Sequence, residues 1–204
     1  HPTGQSWCYR TWCPEKFGGG RIQLRELMVV VKGAGEMASA AAWRLYMANI
    51  RRIVMLETAR PLAVRREVAF SEAVYAGSKT VEGVRALKAA GVEQISRIWD
   101  QGQIAVTVDP EAAALRDIRP DVLVDAILAK QNLGTRLSDA PLVIGLGPGF
   151  TAGADVHVVV ETQRGHHLGR IITTGSAEPN TGIPGSVAGV TEDRVLRAPG
   201  EGEF

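Results

Sequence analysis

Two periods of apolar residues organise this chain. Met28–Val31 is an unbroken apolar run of strand length, mostly valine. A polar, glycine-bearing turn follows, Lys32-Gly33-Ala34-Gly35-Glu36. Apolar spacings of three and four then predict a helix from Met37 to about Ala48, with Met37, Ala40, Ala41, Leu45 and Ala48 on one face. A second strand is expected over Ile53–Leu56, closing on Glu57. Pro61 suits the first position of a further helix. Strands are predicted over Thr80–Val84 and Ile104–Val108, with a helix over Val92–Asp100 between them. Asp109-Pro110 opens a helix over Glu111–Asp117. Asp121–Leu128, Pro141–Ile144 and Val156–Glu161 read as buried strands. Strands alternating with helices predict an α/β fold: a Rossmann-like, doubly wound, mostly parallel sheet with flanking helices.

The opening unit carries specific chemistry. Gly33 permits a tight turn, and Gly35 has no Cβ to hold off a phosphate. Ala38 stands where a third glycine would let the helix pack close to the strand. The free N–H groups at such a helix start attract a pyrophosphate. Glu57 lies 24 positions after Gly33, a spacing that suits a carboxylate on ribose hydroxyls. Glu36 works against an anion there, and serves instead as a helix cap or faces a sugar or a cation. Arg60, Arg65 and Arg66 form a basic cluster: forks for an anion, or a solvated helix face. Ser71 and Glu72 centre the next run.

Further candidates sit at later strand ends. Asp125 interrupts an apolar strand, and a buried carboxylate needs a partner; Lys130 is the nearest in sequence. Lys130 and Asn132 lie in a polar loop at the strand's carboxyl end, where open parallel sheets bind ligands. A second glycine cluster, with Gly147, Gly149 and Thr151, is either a ligand loop or a tight crossover. It and the first turn are expected to face each other across a crevice. Arg164, His166 and His167 share a turn that could bind metal or carry a proton; a solvated surface turn is the simpler reading, and no metal site is expected. Glu161, Glu178, Asn180 and Thr181 complete the candidates.

Composition narrows the classes. Among 204 residues, 45% are hydrophobic and 22% charged, ordinary for a globular chain. A net charge of +1 and 5% aromatics argue against nucleic acid or an anionic membrane as partner. Apolar runs fall well short of the ~20 residues a membrane helix needs. The two cysteines, Cys8 and Cys13, lie in the first segment with no ligand cluster, and a reduced, cytoplasmic setting is expected. Residues 1–27 lack periodicity and read as a leader or upstream segment, poorly structured; an arm docking on a second copy in a homo-oligomer is the alternative.

The blocks VVVKGAGEMA, ETARPLAVRREVAFSEAVYAG, PDVLVDAILAKQNLGT, PLVIGLGPGFTAGADVHVVVETQRGHHLGR and GSAEPNTGIPG resemble, in order, the selenium-dependent molybdenum hydroxylase accessory protein family of the YqeB type. The resemblance spans about residues 28–204 as one Rossmann-like domain, and implies truncation before a further C-terminal module. It implies a maturation role beside a molybdenum hydroxylase. The ligand expected is a small nucleotide or pterin, an NAD-like dinucleotide or a molybdopterin-type compound. It supplies no catalytic residues. The binding candidates are Gly33, Gly35, Glu36, Glu57, Arg60, Asp125, Lys130, Asn132, Gly147, Gly149, Thr151 and Asn180. An NAD-dependent oxidoreductase is the first alternative, resting on Gly33, Gly35, Ala38 and Glu57; a non-enzymatic interaction scaffold is the second.

Overall fold

The computed structural model describes residues 23–180, 182, 186–191, 193 and 200. Its centre is the predicted unit: β1 (Met28–Lys32), α1 (Glu36–Met47) and β2 (Arg52–Glu57). The chain continues through a one-turn helix α2 (Ala73–Ala76), a hairpin of β3 (Ser78–Val81) and β4 (Val84–Ala89), α3 (Val92–Asp100) and β5 (Ile104–Val108). A one-turn helix α4 (Leu115–Ile118) leads to β6 (Val122–Asp125) and β7 (Leu142–Leu146). Short strands follow: β8 (Thr151–Ala152), β9 (Val158–Val160), β10 (Ile171–Ile172) and β11 (Gly175–Ser176).

Nine of these strands form one sheet in the order β10-β9-β7-β6-β1-β2-β5-β4-β3. All neighbours are parallel except the edge pairs β3–β4 and β9–β10. β1 lies inside; on one side β6, β7, β9 and β10 run outward in succession, and on the other β2 is followed by β5 and then by the β4–β3 hairpin. This is the Rossmann-like, doubly wound α/β architecture expected. Parallel strands covered on both faces are apolar along their interiors, as β1 is over Met28–Val31 and β2 over Ile53–Leu56. Val29, Val31, Ile53 and Met55 join the core on the α1 face, with Ala38 and Ala42. Val30, Val54 and Leu56 join the opposite core, with Ile95 and Ile98 of α3.

Several local expectations need correction. The buried side of α1 is Ala38, Ser39 and Ala42, whereas Met37 and Ala40 point outward. Small residues, including a serine, face the sheet because the helix sits close to it, so hydrophobicity alone gave the wrong phase. Pro61 opens no helix; it lies in irregular chain, and its carbonyl accepts the Tyr75 hydroxyl at 2.9 Å. The run Thr80–Val84 is broken by a turn at Glu82-Gly83, both with positive φ, which makes it a hairpin. The helix expected from Glu111 starts at Leu115, because Asp109 accepts the N–H groups of Ala113 and Ala114 and closes a turn first. Residues 23–27, grouped by sequence with the leader, include Leu27 packed on the core and Arg25 donating to Asn49 at 3.0 Å.

Ser39 ties the glycine turn to the chain beyond β2. Its hydroxyl donates to Ala34 O at 3.0 Å and accepts the Phe70 N–H at 2.8 Å, all buried. The Ser71 N–H donates to the same Ala34 O at 2.9 Å. Ser39→Ala leaves a buried N–H with no acceptor and is expected to cost about 1–3 kcal/mol. A melting curve should drop by several degrees for Ser39→Ala and stay within about a degree for Ala40→Ser, one residue along on the exposed side. Equal melting temperatures would show that the clamp carries no stability.

Candidate functional site

The order in which strands are added reverses at β1, with β2 on one side and β6 on the other, so the β1–β6 edge is the topological switch point where such sheets take ligands. A cleft of about 810 Å³ opens there, beyond the carboxyl ends of the strands. Gly33, Gly35 and Glu36 line it, together with Glu57 and Arg60 from the end of β2. Asp109 and Glu111 add the edge after β5, and Ala126, Ile127 and Leu128 the chain after β6. Five of the expected binding residues therefore share one cavity.

The turn itself is built for this place. Gly33 has φ +90°, and a Cβ on it would lie 3.2 Å from Ala126 O, so β1 and the β6 loop meet only through glycine. Around Gly35 nothing lies within 4 Å of a Cβ position, leaving the backbone open to the cleft. Glu57 is engaged by the turn: Oε2 accepts the Ala34 N–H at 2.7 Å and Oε1 its neighbour Thr58 N–H at 2.7 Å. Glu36 accepts the Arg65 N–H at 2.9 Å and lies 3.6 Å from its guanidinium. The Arg65 N–H, with Glu36's own, holds that carboxyl below the usual carboxylate range. A negative charge thus sits in the first turn of α1, where a pyrophosphate would bind. The arginine cluster is divided. Arg65 serves Glu36, Arg66 holds Glu72 through two bonds of 2.8 and 2.7 Å, and Arg60 lines the cleft.

Asp125 is 2% exposed, and its partner is Lys32 rather than Lys130. Strand register sets Lys32 opposite Asp125, with Nζ 3.3 Å from Oδ2. Thr135 completes the group: Lys32 Nζ donates to its hydroxyl at 2.6 Å, and the hydroxyl donates to Asp125 Oδ2 at 2.5 Å. Lys130 is exposed, with φ +62°. Asn132 holds the loop that delivers Thr135, accepting the N–H groups of Gly134 and Thr135 and donating to Thr135 O. Sequence reasoning passed over Lys32 and Thr135. A lysine ending a buried valine strand was the available signal, since such a charge must find a partner.

The second glycine cluster does not line this cleft. Its glycines pack against the chain itself. A Cβ at Gly149, where φ is +109°, would lie 2.6 Å from Gln131 N, and one at Gly147 2.5 Å from Thr162 Oγ1. Thr151 lies in β8, paired with β11, and its hydroxyl shares a 3.0 Å bond with Ser176. Asn180 is exposed beyond that pair, and Thr181 lies outside the described residues. Ser71 is buried, and among the described residues its hydroxyl has no hydrogen-bond partner. His166 and His167 are exposed, and no group of metal-ligating side chains occurs among the described residues.

Glu161 is 3% exposed at the end of β9. Its carboxylate gathers the N–H groups of Thr162, Gln163 and Glu178, each at 2.8 Å.

Comparison with known proteins gives one informative match. The chain is 50% identical over 175 residues to the "Uncharacterized protein YqeB" of Escherichia coli (strain K12). Over that stretch the two are homologous. The match takes in 86% of this chain but 32% of the relative, so the chain spans about a third of that protein's length. The relative's name assigns no function. No family model and no solved structure matches. No helix among the described residues is long and apolar enough to cross a membrane.

Burial pushes the Glu161 carboxyl up, but the N–H groups of Glu178, Gln163 and Thr162 outweigh it and hold the carboxyl below its ordinary range. Its folded pKa is therefore the lower one, so its contribution is present at neutral pH and fades as acid protonates it. Glu161→Gln should lose about 1–3 kcal/mol near neutral pH, with the gap to wild type closing below about pH 4. Urea denaturation across that range checks it; a gap that stays constant with pH would rule out the charged carboxylate as its source.

Proposed function

We propose that this chain binds a nucleotide- or pterin-type ligand in the cleft at the β1–β6 switch point and serves the maturation of selenium-dependent molybdenum hydroxylases. The observation that carries the ligand reading is the cleft itself. Gly33, Gly35, Glu36, Glu57 and Arg60, separated in sequence, line one cavity at the sheet edge where such folds take ligands. The maturation role rests on the ordered motif blocks and their resemblance to the YqeB-type accessory family. A molybdenum hydroxylase is the partner this reading names, and the cytoplasm its compartment.

Three features weaken an NAD-dependent oxidoreductase. The Ala34 N–H, a natural phosphate donor, is already held by Glu57, and Glu36 places negative charge beside the helix start. His166 and His167 do not line the cleft, so neither stands ready as an acid–base group there. A pure scaffold would have no use for an open backbone at Gly35.

The test has two arms: thermal shift with pterin, cytidine and adenine nucleotides and NAD, and co-purification with a molybdenum hydroxylase. A ligand at about 100 times its Kd adds about 2.7 kcal/mol to the folded state and raises the melting temperature by several degrees. Stabilisation by pterin or a cytidine nucleotide, with capture of the hydroxylase, is expected. Stabilisation by NAD alone would transfer the chain to the oxidoreductases. No ligand and no hydroxylase would leave the proposal without support.

A further inference from the structure

Beside the cleft lies a buried polar group that the glycine turn does not explain, and of its three members Lys32 is the one that lines the cleft. Lys32, Asp125 and Thr135 are 6%, 2% and 1% exposed. Removing a lysine and an aspartate from water costs several kcal/mol each, and apolar side chains of similar volume often serve folding as well or better. The pair nevertheless occupies the carboxyl ends of β1 and β6, and Lys32 is among the residues lining the cleft. Its geometry is fully determined. Thr135 has one proton, given to Asp125, so its oxygen accepts from Lys32. An ammonium has three N–H groups, and these two neighbours leave at least one for a ligand.

The surroundings choose the acceptor. Asp125 already balances the charge of Lys32. The remaining lining offers four carboxylates, Glu36, Glu57, Asp109 and Glu111, against the single cation Arg60. A phosphate deep in this cleft would meet excess negative charge. A neutral carbonyl oxygen would not, and an oriented N–H is what it needs. The mouth is apolar: Met37, Leu62, Ile127 and Leu133 line it and are 41%, 96%, 38% and 52% exposed. Polar floor and apolar flanks suit a flat heterocycle inserted edge-on.

We infer that Lys32, held by Asp125 and Thr135, anchors the ring carbonyl of an uncharged lactam heterocycle, of the pterin or oxopurine type, with any phosphate of the ligand directed outward toward Arg60. This rests on the ligand-binding reading above and specifies its chemistry. Lys32 is a binding residue; Asp125 and Thr135 are positioning residues that act through it.

The probes are pterin and hypoxanthine as neutral lactams, with inosine monophosphate as the phosphorylated counterpart, titrated calorimetrically at low and high salt. Wild type should bind the neutral probes with little salt dependence. Lys32→Met should weaken them about ten- to hundredfold. Thr135→Val should weaken them less, because the ion pair persists. A buried charge left alone could unfold the chain, so the double variant Lys32→Met/Asp125→Leu removes both; it should stay folded and still lose the probes. Undiminished binding in the folded double variant would overturn the inference. So would a strong, salt-sensitive preference for inosine monophosphate that Arg60→Met leaves intact and Lys32→Met abolishes, which would place the phosphate on Lys32. Nucleotide binding with no affinity for neutral lactams would overturn this inference alone, whereas no binding of any probe would overturn the ligand reading with it.

Discussion

A charge buried in a parallel sheet has to be answered by another charge, and in this chain the answer comes from strand register. Lys32 ends β1 and Asp125 ends β6, and the parallel pairing sets them side by side. A single unpaired charge buried there would be costly. The pairing therefore depends on β6 lying next to β1, which is also the feature that defines the switch point. Thr135 reaches the pair only because Asn132 folds its loop back through three hydrogen bonds. Sheet order, loop shape and the floor of the cleft are thus one structural solution.

The cleft walls follow similar logic. Carboxylates that look like ligand-binding groups are largely committed to shaping the backbone. Glu57 holds the glycine turn, Glu36 holds the segment at Arg65, and Asp109 closes the turn before α4. What remains is open backbone at Gly35, Lys32 beside Arg60 and Glu111, and apolar side chains at the mouth. That combination favours a neutral ring over a pyrophosphate, although the βαβ unit has the outline of a dinucleotide-binding motif.

Much of the fold was legible because apolar runs of strand length and period-3.6 patterns reflect burial directly. β1, α3 and β5 fall where the pattern puts them. The phase of α1 was not legible, since close packing on the sheet selects alanine and serine rather than large apolar residues. The hairpin at Glu82-Gly83 was hidden inside an apolar run. Of the site, the first glycine turn, Glu57 and Arg60 were readable from spacing within one βαβ unit. The Lys32–Asp125 pair was not, because its members are 93 positions apart and only the strand order joins them. Lys130 was chosen on sequence proximity, which says nothing about a neighbouring strand. The second glycine cluster raised an expectation of ligand contact, yet the chain's own atoms crowd its glycines.

The most direct test of the account is a map of amide chemical-shift changes on titrating the isotope-labelled chain with pterin. The expected map has its largest changes at residues 32–37, 57–60 and 126–135, around the switch point. Changes concentrated at 145–153 and 175–180 instead would contradict it, and would move the site to the second glycine cluster and its β8–β11 pair.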